Sequence, residues 1–408
     1  MTAGPEPEGG LPRIAYKIRT EGLGWILRRL QVELAMPTTG PGKRLHALLA
    51  RAASVAFAIP RALRRPGSPV GGDARILHAF YDLKVAPVTF DFLWFLAGAD
   101  LRRRQLGLEG VRVVIVPGSH AGLRRERFDY EDVVTIEARR QRIDEILVPA
   151  CGLLPSCVGV ARPSSRREAA QMRGRAGHLV YPTGYEPTLP IYPGPLECLE
   201  AARQGEAEIG VLRARREDLE VARGWLESVA GGRKTVTITL RAYNYMPARN
   251  SDLAAWTEFA RRLDPTHFVP VVVPDSAQSL DDLPADLRAF PVYLDAAHRV
   301  GLRMALYELA YLNLGVNNGP MGLCWLDDRT RYVTFKMSTP TVPQTTHAYL
   351  RSLGFEPGQS LPFATAGQLW CWEDDGADTL WHEFEAAVRR IEAAGSRLER
   401  LDSGGANG

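Results

Sequence analysis

The sequence predicts an α/β protein of two Rossmann-like domains facing a cleft, with a basic helical extension ahead of them. Three observations carry this expectation. The chain is 408 residues long, more than one hydrophobic core usually organises. Apolar, β-branched runs alternate with helical periodicity in two separate stretches, the pattern of parallel βαβ units. Between the stretches Gly231-Gly232 punctuates the chain, and the alternation restarts beyond it.

The expected boundaries are an extension and linker over 1–72, a first domain over 73–231 and a second over 232–402. From Arg13 to Arg65 the extension carries eleven Lys or Arg against two Asp or Glu, around the apolar stretch Ala50-Arg-Ala-Ala-Ser-Val-Ala-Phe-Ala-Ile-Pro60. Two readings stand: basic helices packed on the first domain, or peripheral contact with an anionic membrane face. Arg64 to Gly72, with two Pro and three Gly, reads as the linker.

The first domain opens with strand Ile76-Leu-His-Ala-Phe80, a loop, the aromatic helical run Phe90 to Arg102, and strand Val111 to Val116. Weaker signals follow: a strand at Val133-Val-Thr-Ile136, a helix around Arg139 to Leu147, a strand at His178 to Tyr181, and helices near 195–203 and 217–229. In the second domain the expected strands are Thr235 to Leu240, Phe268 to Val273, Phe290 to Leu294, Leu314 to Val316, Tyr332 to Phe335 and Gln368 to Trp372. Helices are expected at Ser251 to Leu263, Met304 to Tyr311 and Ala377 to Ala394.

Composition narrows the function classes. Fifty Lys and Arg against 47 Asp and Glu are nearly balanced, and the Arg pairs are scattered rather than gathered in one stripe, which argues against nucleic acid. Five widely spaced Cys without Cys-x-x-Cys indicate a reduced, cytoplasmic protein, and Cys151 and Cys157 read as buried structural thiols. No apolar window is long enough for a membrane span, and the start lacks a signal-peptide pattern. No Asp-x-Asp occurs, so a catalytic metal is not expected, and no cofactor beyond the substrate itself.

Ligands of open α/β sheets sit at the carboxyl ends of strands. In the second domain Asn317-Asn-Gly-Pro320 leaves a strand and enters a helix, with Pro320 suited to its first turn. Free N–H groups and the helix dipole there suit phosphates, with Asn317, Asn318, Gly319 and Pro320 as candidates. A second candidate loop, Leu240 to Asp252, brings Arg241 and Arg249 to the same mouth, with Asn250 or Ser251 capping the following helix. Two guanidinium groups can neutralise a diphosphate without a metal. Asp275 is placed for a ribose or base edge and Lys336 for the same cleft, while Glu373, Asp374 and Asp375 read as a cap. A general base would come from a strand end of the first domain. Asp82, His120 and Glu186 are the candidates, in that order, and the sequence does not choose among them.

Gly319, Pro320, Met321 and Leu323 match the pattern Asp-Thr/Ser-Gly-Pro-Met-His-Leu-Ala of bacterial heptosyltransferases, which this stretch resembles. Asn317, Asn318 and Gly322 replace its acidic, hydroxyl and His positions. Two tandem Rossmann-like domains without Gly-x-Gly-x-x-Gly also describe the architecture called GT-B. The Arg-bearing loop is similar to the phosphate-binding loop of α1,6-fucosyltransferase-like enzymes. Tyr81-Asp-Leu and Thr89-Phe-Asp-Phe92 resemble segments of uncharacterised proteins from polysaccharide gene clusters. These resemblances imply a bacterial glycosyltransferase that takes a nucleotide sugar and a glycan, lipid-linked or small-molecule acceptor. The alternatives are a nucleotide-sugar 2-epimerase-like enzyme and a non-catalytic binder of nucleotide or glycan.

Overall fold

The structure is a computed structural model that describes residues 73–404 apart from 127, 206, 207, 276 and 277. The basic extension, and with it the expected membrane contact, lies outside the described residues. No helix among those described is long and apolar enough to cross a membrane.

The first lobe holds four parallel strands: β1 (Ile76–Asp82), β2 (Gly110–Val116), β3 (Cys157–Ala161) and β4 (Val180–Tyr181), in the order β3-β2-β1-β4. The second holds five parallel strands: β5 (Lys234–Thr239), β6 (Phe268–Val273), β7 (Leu312–Val316), β8 (Tyr332–Phe335) and β9 (Gln368–Trp370), in the order β6-β5-β7-β8-β9. The two-sheet α/β architecture is therefore as expected.

Helix α1 (Phe92–Gln105) connects β1 to β2 and is buried nearly all round. One side packs under β1, where Tyr81 meets Phe92 and Phe95 at ring distances of 4.7 and 4.9 Å. Its other side meets the second lobe: a Cβ on Gly322 would stand 3.3 Å from Leu93. Burying one such aromatic or Leu side chain contributes about 2 kcal/mol, so a helix whose Phe92 to Leu101 stretch is almost wholly apolar and buried belongs between two layers. The core is accordingly continuous across the lobes, joining Phe92, Leu96 and Tyr181 to Met304, Tyr307, Met321 and Leu323.

Five helices matter below: α2 (Ile136–Arg142), α3 (Arg166–Ala176), α4 (Arg216–Ala230), α5 (Leu253–Arg262) and α6 (Val300–Leu309). The face Ala222, Leu226 and Ala230 of α4 packs with Val269, Val271 and Val273 of β6. This helix serves the second lobe although it precedes Gly231. In the terminal helix α7 (Ala377–Gly404), Leu380, Phe384 and Ala387 recur at helical spacing against the same sheet's other face.

Three local expectations are corrected. Val133 to Ile136 is no strand: Thr135 accepts a bond from the Ala138 N–H and caps α2. Phe290 to Leu294 forms only a one-residue parallel bridge, Val292 to Val272, with the Pro291 carbonyl accepting from the Val272 N–H. Strand β3 and helix α3, which the sequence did not announce, complete the first lobe.

Candidate functional site

The second sheet changes winding direction between β5 and β7, because β6 lies on one side of β5 and β7, β8 and β9 follow on the other. The crevice beyond their carboxyl ends is where such a sheet binds ligand. Three loops meet there, 240–252 after β5, 317–321 after β7 and 336–346 after β8.

The first is tied shut by its own side chains. The Arg241 N–H donates to Ser251 Oγ and the Ser251 N–H to the Arg241 carbonyl, both at 2.9 Å. The Arg241 guanidinium donates to the Tyr245 and Met246 carbonyls at 2.6 and 3.1 Å and to Asn250 Oδ1. Asn250 also exchanges two 3.1 Å bonds with the Tyr243 backbone. Arg241, Asn250 and Ser251 thus hold the loop's shape. The cap of α5 is Asp252, whose Oδ1 accepts from Ala254 and Ala255, in place of the expected Asn250 or Ser251.

Arg249 is what this rigid loop presents. Its Nη2 donates to the Asn317 carbonyl at 2.7 Å, and its Nε is buried without a partner. Burial first, and the adjacent Arg241 charge second, lower its guanidinium to about 10, while Asp91 pulls the other way. Among the described residues no carboxylate reaches it as an ion pair. A crowded cation short of counter-charge is the electrostatic signature of an anion site.

Asn317 donates from its amide to the Met337 carbonyl at 3.1 Å, and Asn318 Oδ1 accepts from the Met321 N–H at 3.1 Å. The helical turn that follows is short, Gly319–Met321 and then Gly322–Trp325, so its dipole is small. Gly319 is needed for close approach: a Cβ there would stand 2.9 Å from Phe90 of the first lobe. Pro320 occupies the first turn as expected. Lys336 is in the left-handed region at φ 57°, with Nζ donating to Asp375 Oδ1 and to the Asn250 carbonyl, both at 3.1 Å. Asp375 also accepts from the Asp252 N–H and Trp256 Nε1 at 2.8 Å, so it fastens three loops together where a helix cap was expected. Asp275, after β6, receives the Ala242 N–H at 3.4 Å.

In the first lobe Asp82 ends β1 and is 1% exposed. Arg166 of α3 grips both its oxygens at 2.7 and 2.8 Å, Tyr185 Oη donates at 2.6 Å and the Lys84 N–H at 2.9 Å. The expected first choice for general base is therefore a saturated, buried carboxylate that ties β1 to α3 and to the loop after β4. Glu186 follows Tyr185 in the chain and accepts from Arg173 at 3.1 Å. His120 sits on a tight turn after β2, closed by paired bonds between its backbone and that of Leu123. A cavity of about 340 Å³ opens beside this turn, lined by Leu83, Pro117, Leu123, Arg140 and Arg162 among others.

Two features escaped the sequence reading. Asp91, at the start of α1, is exposed, with Oδ2 accepting only from Thr89 Oγ1 at 3.0 Å. Its charge, after burial, raises the Tyr81 and Tyr192 phenols and favours the Arg249 cation, and it directly follows Phe90, against which Gly319 packs. It resembles an ordinary helix cap in sequence. The other is an aromatic clasp: Arg142 of α2 donates to Tyr130 Oη and Tyr243 Oη at 3.0 and 2.9 Å, and the Tyr130 and Tyr245 rings meet edge-on at 4.9 Å. No group of three His, Cys, Asp or Glu among the described residues is placed to hold a metal ion.

The chain is similar in structure to the glycosyl transferase family 9 protein from Veillonella parvula DSM 2008, at 10% identity and a TM-score of 0.43, covering 67% of this chain and 83% of that one. It is likewise similar to ADP-heptose LPS heptosyltransferase II of E. coli, at 10% identity and a TM-score of 0.43, over 78% and 99%. A third is E. coli heptosyltransferase WaaC with ADP, at 14% identity and a TM-score of 0.37, over 76% and 100%. No protein-family model and no curated protein sequence matches the chain.

Proposed function

We propose that the chain is a glycosyltransferase that moves a sugar from a nucleotide-sugar donor in the second lobe to an acceptor held by the first. The observation that carries this reading is Arg249, a cation without an ion-pair partner among the described residues at the winding switch point, fixed by a loop that spends Arg241, Asn250 and Ser251 on its own rigidity. A diphosphate supplies the missing negative charge. As the acceptor oxygen bonds to the anomeric carbon, the bond from that carbon to the phosphate oxygen breaks and its electron pair goes to the diphosphate. Arg249 is placed to stabilise that charge without a metal.

The acceptor proton passes to a first-lobe group with an accessible lone pair. Asp91 and His120 meet that requirement; Asp82 does not. The acceptor is a glycan, a lipid-linked or a small molecule, and the charge of Arg13 to Arg65 suits an anionic membrane face beside a lipid-linked one. An epimerase needs several acids and a His around one sugar, and this crevice offers amides and Arg.

The reading is tested by thermal shift with ADP, GDP, UDP and CMP, followed by release of the nucleotide from the matching sugar donor. Stabilisation by at least one nucleotide supports it. Stabilisation by none sinks it, and binding without release under any acceptor leaves a non-catalytic nucleotide binder.

A further inference from the structure

Two buried hydroxyl groups on the loop after β8 have no hydrogen-bond partner among the described residues. Ser338 and Thr339 are 7% and 5% exposed, and neither Ser338 Oγ nor Thr339 Oγ1 has a hydrogen-bond partner. Buried side-chain polar atoms are nearly always paired, because an unpaired one forfeits its bonds to water. Two consecutive residues at the carboxyl end of a strand carry such atoms here. Their own backbone is not idle: the Thr339 N–H donates to the Thr345 carbonyl at 3.0 Å and the Thr339 carbonyl accepts from the Val342 N–H at 3.0 Å. The turn is closed and firm, and the hydroxyls are what it leaves over.

Their position follows from contacts already described. Arg249 bonds the Asn317 carbonyl, the Asn317 amide bonds the Met337 carbonyl, and Lys336 bonds the Asn250 carbonyl. Ser338 directly follows Met337, so the hydroxyls stand at the end of β8 while Arg249 stands across the ends of β5 and β7. The loop that carries Ser338 and Thr339 therefore borders the loop that carries Arg249, as the hexose of a nucleotide sugar borders its phosphates. A hydroxyl both donates and accepts, which suits a sugar hydroxyl, whereas an ionised phosphate only accepts. Asp275 lies at the end of β6, the far side, where the nucleoside falls.

We infer that Ser338 and Thr339 read the sugar of the donor, with the diphosphate on Arg249 and the nucleoside towards Asp275. This rests on the donor reading above and adds to it the residues that select the sugar.

The test compares Ser338→Ala and Thr339→Val with the wild type by calorimetric titration. The probes are whichever of ADP, GDP, UDP or CMP binds and its commercially available sugar conjugates. Each variant is expected to keep the plain nucleotide's Kd within twofold and to weaken the preferred conjugate about tenfold. Melting temperature should be unchanged or raised, because an unpaired buried hydroxyl is removed, while a structural hydroxyl would lower it. Equal loss for nucleotide and conjugate, or no loss for either, overturns the assignment while leaving the donor site intact. Failure of every nucleotide to bind the wild type overturns both.

Discussion

Arg249 Nη2 lies 2.7 Å from the Asn317 carbonyl oxygen, so the loops after β5 and β7 meet through one charged donor with donors to spare. Replacing Arg249 with Ala should weaken the nucleoside diphosphate at least tenfold, in line with about 1.5–3 kcal/mol for a charged hydrogen bond. Stability should hold or rise, because burial and Arg241 already disfavour the Arg249 charge. Titration calorimetry with a parallel melting curve checks both; a fall in melting temperature with affinity intact would show a purely structural cation.

Asp82 and the two accessible groups should separate cleanly. Asp82→Ala leaves Arg166 half-buried without its partner and should cost about 3–5 kcal/mol of stability. Asp91→Asn and His120→Ala should leave chemical denaturation unchanged, and the one that takes the acceptor proton should lose most turnover. If Asp82→Asn unfolds at the wild-type denaturant concentration yet is inactive, Asp82 acts chemically after all.

Gly319 faces Phe90 so closely that a methyl group has no room. Gly319→Ala should destabilise the chain by about 1–3 kcal/mol through overpacking. Phe90→Ala should restore part of that loss when combined with it. A double-mutant cycle with no coupling would place the two residues apart.

Beside the Cys151 thiol, whose hydrogen donates to the Leu147 carbonyl at 3.3 Å, Cys157 is lowered to about 7, with burial opposing. A lowered acid is thiolate above that value, so alkylation of Cys157 should rise through a midpoint near pH 7. In Cys151→Ala the midpoint should move towards 9. Peptide mass spectrometry after brief iodoacetamide treatment reads it directly, and identical midpoints in the two proteins would contradict the pairing.

The second lobe was legible because its strands are rich in β-branched and aromatic residues, and the Asn317 to Pro320 turn fell where strand order puts ligands. The individual roles were harder to read. Asp82 looks like a strand-end base, yet the partners that saturate it, Arg166 and Tyr185, stand 84 and 103 residues away. Arg241 and Arg249 look equivalent in sequence; only the folded loop spends one and spares the other. Strand β3 was missed because Gly159 interrupts it and Val158 and Val160 face outward. Asp91 was passed over because a carboxylate opening a helix usually needs no other explanation.

The unbroken core between α1 and the 321–326 segment limits how this molecule admits a substrate. Swinging the lobes apart like a clam would wet Met321, Leu323 and Leu93 together. Asp91 and Gly319 are at the surface, so a ligand reaches their rim with that interior left dry, and the Arg142–Tyr243 bond ties the lobes together outside the apolar core.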